Sequence, residues 1–276
     1  MGNRPIILSI AGYDPSSGAG ITADVKTAAA MDCYAVTCVT ALTVQSTQGV
    51  FQVAPVAPEL VRETLYRLAE DVEIAAVRIG MLGSAEVAKV VAKFFRRYKH
   101  PNLVLDPVLR SSSGAALIAP EGVSYIRKWL LPVCDVITPN FEEAAVLARV
   151  GPETSWREDS AGRTPGALRV IAARLHDLGS KAVVITGGDL PEVVDFLSVR
   201  ETARQRERVF DGHRVESPAT HGTGCGFATA IACGLAQGRA LETAVGEAKI
   251  FVRNAIAAAY PVGKGFGPMN HLFRMD

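Results

Sequence analysis

The stretch Thr220-His221-Gly222-Thr223-Gly224-Cys225-Gly226 concentrates the residue types from which an anion site is built. Glycines at alternate positions disfavour both helix and strand, because each loses much backbone entropy on ordering. They do permit a tight turn whose N–H groups approach a ligand closely. The apolar run that follows, 227–235, reads as a buried helix, so the turn falls at a helix N-terminus. Unpaired N–H groups and the positive end of the helix dipole favour a negatively charged group there. Cys225 stands on the first turn, a position that tends to lower a thiol's pKa. The chemistry indicated is an anion meeting a proton-accepting side chain. The simpler alternative is that the glycines only permit close helix packing and Cys225 is a small buried hydrophobe.

Such a turn needs a scaffold to position it. Short runs rich in Val, Ile and Leu lie at 6–11, 35–44, 74–79, 103–105, 133–137 and 182–185. Amphipathic helical patterns lie between them at 19–31, 58–71, 85–98, 120–131, 142–150 and 166–178. Apolar runs without alternation suit strands buried on both faces, and intervening helices imply parallel crossovers. The predicted class is α/β, with a mostly parallel central sheet covered by helices on both faces. More polar segments at 193–199 and 208–215 read as a small antiparallel edge, and a last long helix is predicted over 241–259. Residues 151–166 read as a polar surface loop. With no repeat or linker, residues 1–276 are taken as one domain.

In open parallel sheets, ligands bind beyond the carboxyl ends of the strands. The residues that follow the apolar runs are therefore the candidates: 12–20 with Asp24, Gln45-Ser46-Thr47, Gly80-Met81, Asp106-Pro107, Thr138-Pro139-Asn140 with Glu143, and Thr186-Gly187-Gly188-Asp189. Together with the glycine-rich turn they describe an enzyme-like cleft for a small polar molecule and an anion. Each alone has a plainer reading. Asn140 and Glu143 read first as a helix-capping pair. Asp106 before proline reads equally as a strand terminator. Gln45 is harder to explain by packing, since a buried amide needs partners. His100, His176 and His213 read as solvated. The glycines at 18 and 20 lack the acidic residue about 20 positions on that a dinucleotide fingerprint expects, and no GxxxxGK[ST] motif occurs.

Composition excludes other classes. A net charge of +1 with scattered Lys and Arg gives no signal for nucleic acid or an anionic membrane as partner. No apolar stretch approaches membrane-spanning length. Five cysteines without a CxxC pair indicate neither a disulfide framework nor a zinc cluster, and suit a reducing, cytoplasmic setting.

Ala11-Gly12-x-Asp14-Pro15-Ser16-x-Gly18-Ala19-Gly20-Ile21-x-Ala23-Asp24 resembles the N-terminal signature of bacterial hydroxymethylpyrimidine/phosphomethylpyrimidine kinases, of the ribokinase-like superfamily. Thr40-Ala41-Leu42-x-x-Gln45, Ile79-Gly80-Met81-Leu82, Leu105-Asp106-Pro107-Val108 and Ile137-Thr138-Pro139-Asn140-x-x-Glu143-Ala144 are similar to its later blocks. So are residues 220–225 and Gly263-Lys264-Gly265-x-Gly267-Pro268, in order along nearly the whole chain. The resemblance implies phosphorylation of 4-amino-5-hydroxymethyl-2-methylpyrimidine with ATP and Mg²⁺, then of the monophosphate to the diphosphate, in thiamine biosynthesis. It implies that Gly12, Asp24 and Gln45 bind the pyrimidine and that Met81 and Val108 line its pocket. It places Asp106, Asn140 and Glu143 on the Mg²⁺–phosphate side, and Thr186, Gly187 and Gly188 beside the nucleotide. It also implies that Gly222, Thr223, Gly224 and Cys225 form the hole for the transferring phosphoryl group. Cys225 takes a position where many relatives outside this group carry Asp. A thiol that serves as a weak base yet stays neutral would spare the anionic second substrate a repulsion. The resemblance also implies a homodimer.

The chain departs from the family pattern in places. Thr186-Gly187-Gly188-Asp189 stands where relatives commonly have Lys-Gly-Gly-His, which removes a phosphate-facing lysine; Lys264 is the candidate substitute. Leu109-Arg110-Ser111 and Asn270-His271 also differ from the usual residues. The alternative within enzymes is a pyridoxal kinase of the same superfamily. The alternative of another class is a non-catalytic ligand-binding protein on the same fold.

Overall fold

A computed structural model describes residues 4–100, 102–111, 114–151, 166–188, 193–201 and 205–275. Most of the predicted loop 151–166 lies outside them. The strands are β1 (Ile6–Tyr13), β2 (Tyr34–Ser46), β3 (Gly49–Pro55), β4 (Ile74–Ile79), β5 (Leu103–Leu105), β6 (Val136–Ile137), β7 (Ala182–Ile185), β8 (Asp195–Arg200) and β9 (Gln205–Phe210). They form one sheet in the order β3-β2-β1-β4-β5-β6-β7-β8-β9. The six from β2 to β7 in that order pair in parallel, and β3, β8 and β9 are antiparallel additions.

Each predicted apolar run contains a strand, although that of 133–137 covers only Val136–Ile137, and the strand residues alternate between two separate cores. Leu8, Ile10, Val77, Ile79, Leu103, Leu105, Val183 and Ile185 face one layer of helices. That layer contains α2 (Pro58–Asp71), α3 (Ala85–Arg97), α4 (Pro120–Tyr125), α5 (Phe141–Ala148) and α6 (Gly166–Asp177). Ile7, Ala76, Val104, Val136, Ala182 and Val184 face α1 (Gly20–Ala30), α7 (Thr223–Ala236) and α8 (Leu241–Ala257) on the other side. Burial on both faces explains why the runs carry no polar alternation.

Three elements depart from the sequence reading. β3 returns along β2 as a hairpin that the pattern did not announce, since half of it is exposed. The expected helix 120–131 is α-helical only to Tyr125, then π-helical over Ile126–Leu130 and 3₁₀ over Leu131–Val133. Pro132 has no N–H to continue the ladder and its ring crowds the preceding turn, so the helix widens and ends. The antiparallel edge forms, but its second strand runs over 205–210 rather than 208–215.

The chain switches direction across the sheet at β1, which has β2 on one side and β4 on the other, both parallel. The crevice beyond the carboxyl ends of β1 and β4 is the topological switch point, where open α/β sheets bind ligands.

Candidate active site

The loop after β1 is folded around one carboxylate. Asp14 accepts hydrogen bonds from Ser16 N (2.8 Å), Ser16 Oγ (2.7 Å), Gly18 N (3.2 Å) and Ala19 N (2.9 Å). Its Oδ2 also lies 2.8 Å from His221 Nε2. Burial raises the Asp14 pKa, but the bonds from His221 and Ser16 outweigh it and hold it below the ordinary range. This loop sits backbone to backbone on the glycine-rich turn. Gly222 has φ +79°, and a Cβ there would stand 1.8 Å from Gly18 O. Only glycine fits both the left-handed backbone and the contact.

Gly222 is the N-cap of α7 and supplies no side-chain cap; Thr223 N turns back to Thr220 O at 3.4 Å, and the N–H groups of Gly224 and Cys225 are left to a ligand. A Cβ on Gly224 would meet nothing within 4 Å, so the turn opens on free space. The turn therefore has the form predicted for it. Its thiol does not behave as the helix position predicts. Cys225 is pushed up to about 12 by desolvation, with Asp106 and Asp24 adding to the rise. Arg78 and a hydrogen bond from the Gly20 backbone oppose it without prevailing. The thiol is neutral at physiological pH and holds its own proton.

Behind Cys225 lies a charged cluster in the middle of the apolar layer. Arg78 projects from β4 with no exposed surface, donating to Asp24 Oδ2 at 3.0 Å and to Asp106 Oδ2 at 2.6 Å. Asp24, on α1, also accepts from Ser9 Oγ (2.5 Å) and Thr229 Oγ1 (2.8 Å). Burial raises both carboxyls above their ordinary value, against the lowering effect of Arg78. For Arg78 burial works against the charge, but Asp24, Cys225 and Asp106 outweigh it. Gly80 leaves room for the guanidinium, since a Cβ there would lie 1.9 Å from Arg78 Nη1. Asp24 is thus departed from as a direct pyrimidine contact: it is wholly buried, with three side-chain partners, behind the cleft. Asp106, almost as buried, reaches both Arg78 and the Cys225 thiol.

On the β2 side, Ala41, Met81 and Leu117 form a small apolar wall, with Val50, Val53 and Val108 packed on it. Gly12 lets Met81 approach; a Cβ would be 2.9 Å from Met81 Sδ. Gln45, half-buried at the end of β2, reaches His221 Nε2 at 3.2 Å and Thr43 Oγ1 at 3.0 Å. The structure thus brings Gly12, Gln45, Met81 and Val108 to one side of the anion turn.

On the β5–β7 side, Asn140 and Glu143 form a full capping box on α5, with Asn140 Oδ1 accepting from Glu143 N at 2.9 Å and Glu143 Oε2 from Asn140 N at 3.1 Å. Glu143 Oε1 accepts from Leu109 N, just beyond Asp106, at 3.1 Å. The capping reading therefore holds, and the box also ties the ends of β5 and β6 together. Thr186 bridges to Asn140, and Gly187 N donates to Asp195 Oδ1 at 3.0 Å. A Cβ at Gly188 meets nothing within 4 Å. Asp189 lies outside the described residues. Lys264 does not join this group. Its loop is seated on the β2–β3 turn, where Gly265 N donates to Thr47 Oγ1 at 3.2 Å. Five strand spacings of about 4.8 Å, roughly 24 Å, separate β2 from β7.

Among the described residues no three His, Cys, Asp or Glu side chains form a ready metal cage. Asp106, Asn140 and Glu143 are hard oxygen donors already tied into the protein, a set that fits a Mg²⁺ arriving with nucleotide and keeping its waters.

Arg78, the Asp14 carboxylate and the seat of His221 were not identified from sequence. A lone arginine inside an apolar strand run was the available signal for Arg78, because a buried charge demands partners. The pairs Asp14–His221 and Asp24–Thr229, 207 and 205 residues apart, left no local trace. His176, read as solvated, is buried, with Nδ1 2.7 Å from Ser180 O and Nε2 2.9 Å from Ser198 Oγ.

A helix N-terminus without a side-chain cap, a thiol and an amide-rimmed apolar wall meet at the switch point of a doubly covered sheet, and the fold is that of the ribokinase-like kinases. The chain belongs to the phosphomethylpyrimidine kinase family, whose model matches residues 14–270. It is 38 % identical to a hydroxymethylpyrimidine/phosphomethylpyrimidine kinase of Streptomyces coelicolor, over 97 % of this chain and 94 % of that one. It is also 38 % identical to a thiamine biosynthesis bifunctional protein of Geobacter sulfurreducens, covering 99 % of this chain but 53 % of that protein. The chain thus spans about half the length of that bifunctional relative. Among solved structures, the ADP complex of Bacillus subtilis pyridoxal kinase superposes with a TM-score of 0.84 at 31 % identity, covering 99 % of this chain and all of the other.

Proposed function

We propose that the chain transfers the γ-phosphoryl group of ATP to the hydroxymethyl oxygen of 4-amino-5-hydroxymethyl-2-methylpyrimidine, breaking the β–γ bridge to release ADP and giving up the alcohol proton to solvent, and then phosphorylates the monophosphate to the diphosphate, in thiamine biosynthesis. The observation that carries this reading is the meeting of Gln45 and its apolar wall with the open anion turn of α7 at one switch point. Gly12, Gln45, Met81 and Val108 hold the ring, and a primary amide matches an amine beside a ring nitrogen because it both donates and accepts. Asp24 acts from behind, through Arg78. The turn at Gly222, Thr223 and Gly224 receives the transferring phosphoryl group, where positioning and charge stabilisation dominate the chemistry. Cys225, neutral, adds no charge beside an anionic second substrate. Thr186, Gly187 and Gly188 border the nucleotide, while Lys264 is better seated for the pyrimidine side. Mg²⁺ bound to the nucleotide would supply charge neutralisation, with Asp106, Asn140 and Glu143 holding it through its waters.

The test is direct. Incubation with hydroxymethylpyrimidine and Mg²⁺-ATP is expected to yield monophosphate first and diphosphate later, resolved by liquid chromatography with mass detection. No ATP turnover with any ring alcohol would favour a binding protein instead. A second reading, pyridoxal kinase, is favoured by the Bacillus subtilis structural neighbour; higher kcat/KM for pyridoxal than for the pyrimidine would select it.

The nine strands in one sheet support a single domain over 1–276. All five cysteines are free thiols, which supports a reducing cytoplasmic setting. Among the described residues no helix is long and apolar enough to cross a membrane. The exposed Leu42, Val44 and Phe51 of the β2–β3 hairpin support a homodimer, which light scattering would test.

A further inference from the structure

The loop after β1, the end of β2 and the residue ahead of the anion turn meet in a chain of polar groups with one consistent arrangement of protons. In the structure the Gln45 amide nitrogen points at His221 Nε2, 3.2 Å away, and the amide oxygen faces Thr43 Oγ1 at 3.0 Å. Thr43 Oγ1 also lies 3.0 Å from Tyr13 O. Tyr13 O only accepts, so the single hydroxyl proton of Thr43 goes to it, and Thr43 offers Gln45 a lone pair. At the other end, His221 Nε2 lies 2.8 Å from the ionised Asp14 carboxylate. A bare ring nitrogen there would face a negative oxygen, so Nε2 carries the proton. An amide N–H₂ pointing at that N–H would set two donors against each other. Rotating the amide by 180° about its last torsion, which exchanges two atoms of nearly equal size, turns its nitrogen to donate to Thr43 and its oxygen to share the Nε2 proton with Asp14, and so removes both conflicts.

We propose that His221, held by Asp14, locks the Gln45 amide with its oxygen toward the imidazole and its nitrogen toward Thr43, and so fixes the donor–acceptor order that the pocket shows to a bound ring. His221 is then a positioning residue that sets specificity through Gln45. The imidazole lies flush on the loop, since a Cβ on Gly18 would stand 2.3 Å from His221 Cδ2. Gln45 pairs across the hairpin with Val50, at the edge of the Met81 wall, where the amide's remaining N–H and oxygen lone pair meet a ligand. An aminopyrimidine presents an amine donor beside a ring-nitrogen acceptor and matches that order. The analogue with the 4-amino group replaced by oxo presents an acceptor beside a ring N–H, the reverse order.

The inference rests on the pyrimidine-kinase reading, and calorimetric titration of the whole protein with the two compounds separates their fates. Wild type is expected to bind the amino compound far more tightly than the oxo analogue. His221→Phe keeps a flat ring but drops the Nε2 proton, and Thr43→Val drops the other end of the lock. Each is expected to lower the ratio of the two Kd values by about 10-fold, the scale of one misplaced hydrogen bond, with a melting transition that verifies folding. A ratio unchanged in either folded variant overturns the lock. Wild type that binds neither compound overturns the pyrimidine reading and the lock with it. Should His221→Phe fail to fold, Thr43→Val alone decides.

Discussion

Cys225 shows how an environment overrules a position. A first-turn thiol is stabilised as thiolate by the helix dipole, yet here the protein around Sγ and two acids behind it push the pKa up to about 12. A thiol that keeps its proton cannot accept one from an alcohol at neutral pH, so under the proposed function Cys225 contributes neutrality rather than basicity. The proposed second phosphorylation, whose nucleophile is already anionic, is where that neutrality would count. Two unit charges about 4 Å apart at an effective dielectric of about 20 repel by about 4 kcal/mol. Cys225→Asp is accordingly expected to depress kcat/KM for the monophosphate at least 10-fold more than for the alcohol. Equal losses in the two steps, measured with each substrate supplied separately, would remove charge from the account.

At the scale of elements, Arg78 joins β4, α1 and the end of β5. Its register partner on β1 is Ser9, which bonds the same Asp24, so the polar cluster is built into the sheet rather than attached to it. Removing the cation leaves two buried carboxylates uncompensated, and such a loss costs about 3–5 kcal/mol. Arg78→Met is expected to lower unfolding stability by that amount in urea titrations; a change below about 1 kcal/mol would mean that the pair behaves like an exposed one. The sequence announced β4 as an apolar run and left its arginine unexplained. It could not show that the run's inner face points at α1, because strand register is settled by pairing between distant segments. Elements with strong local signals, such as α3 with its Ser84 cap, agree with the sequence to within a residue. The π-helical stretch before Pro132 and the exposed hairpin strand β3 do not, since neither carries a period of its own.

At the scale of the whole molecule, buried histidines make stability depend on pH. Burial holds His271 at about 4, with Lys26 adding to the fall, and burial also lowers His176 and, less enclosed, the half-buried His100. A base whose pKa is depressed by folding binds fewer protons folded than unfolded, so stability is complete above about 6.5 and is lost as pH falls toward the folded value. For His271, only 2 % exposed, the loss reaches roughly 3 kcal/mol by pH 4. Asp24 and Asp106, raised by burial, act in the opposite sense over their own range above 3.8. The comparison that isolates the histidine is wild type against His271→Gln, unfolded in urea at pH 7.5 and at pH 4.5. The variant is expected to lose less stability between the two; parallel losses would assign the acid sensitivity elsewhere.

The amino-acid sequence by itself determined the doubly covered parallel sheet, the strand ends that form the cleft and the glycine turn at the head of α7. These follow from apolar runs, helical periods and backbone freedom, all of which act over a few residues. Only the tertiary structure decided which acids touch the site. It set Asp24 behind the cleft, joined Asp14 to His221 across 207 residues and kept the Cys225 thiol protonated. The reason is physical: a charge or a proton answers to distance and burial in three dimensions, and neither is encoded in the neighbours along the chain.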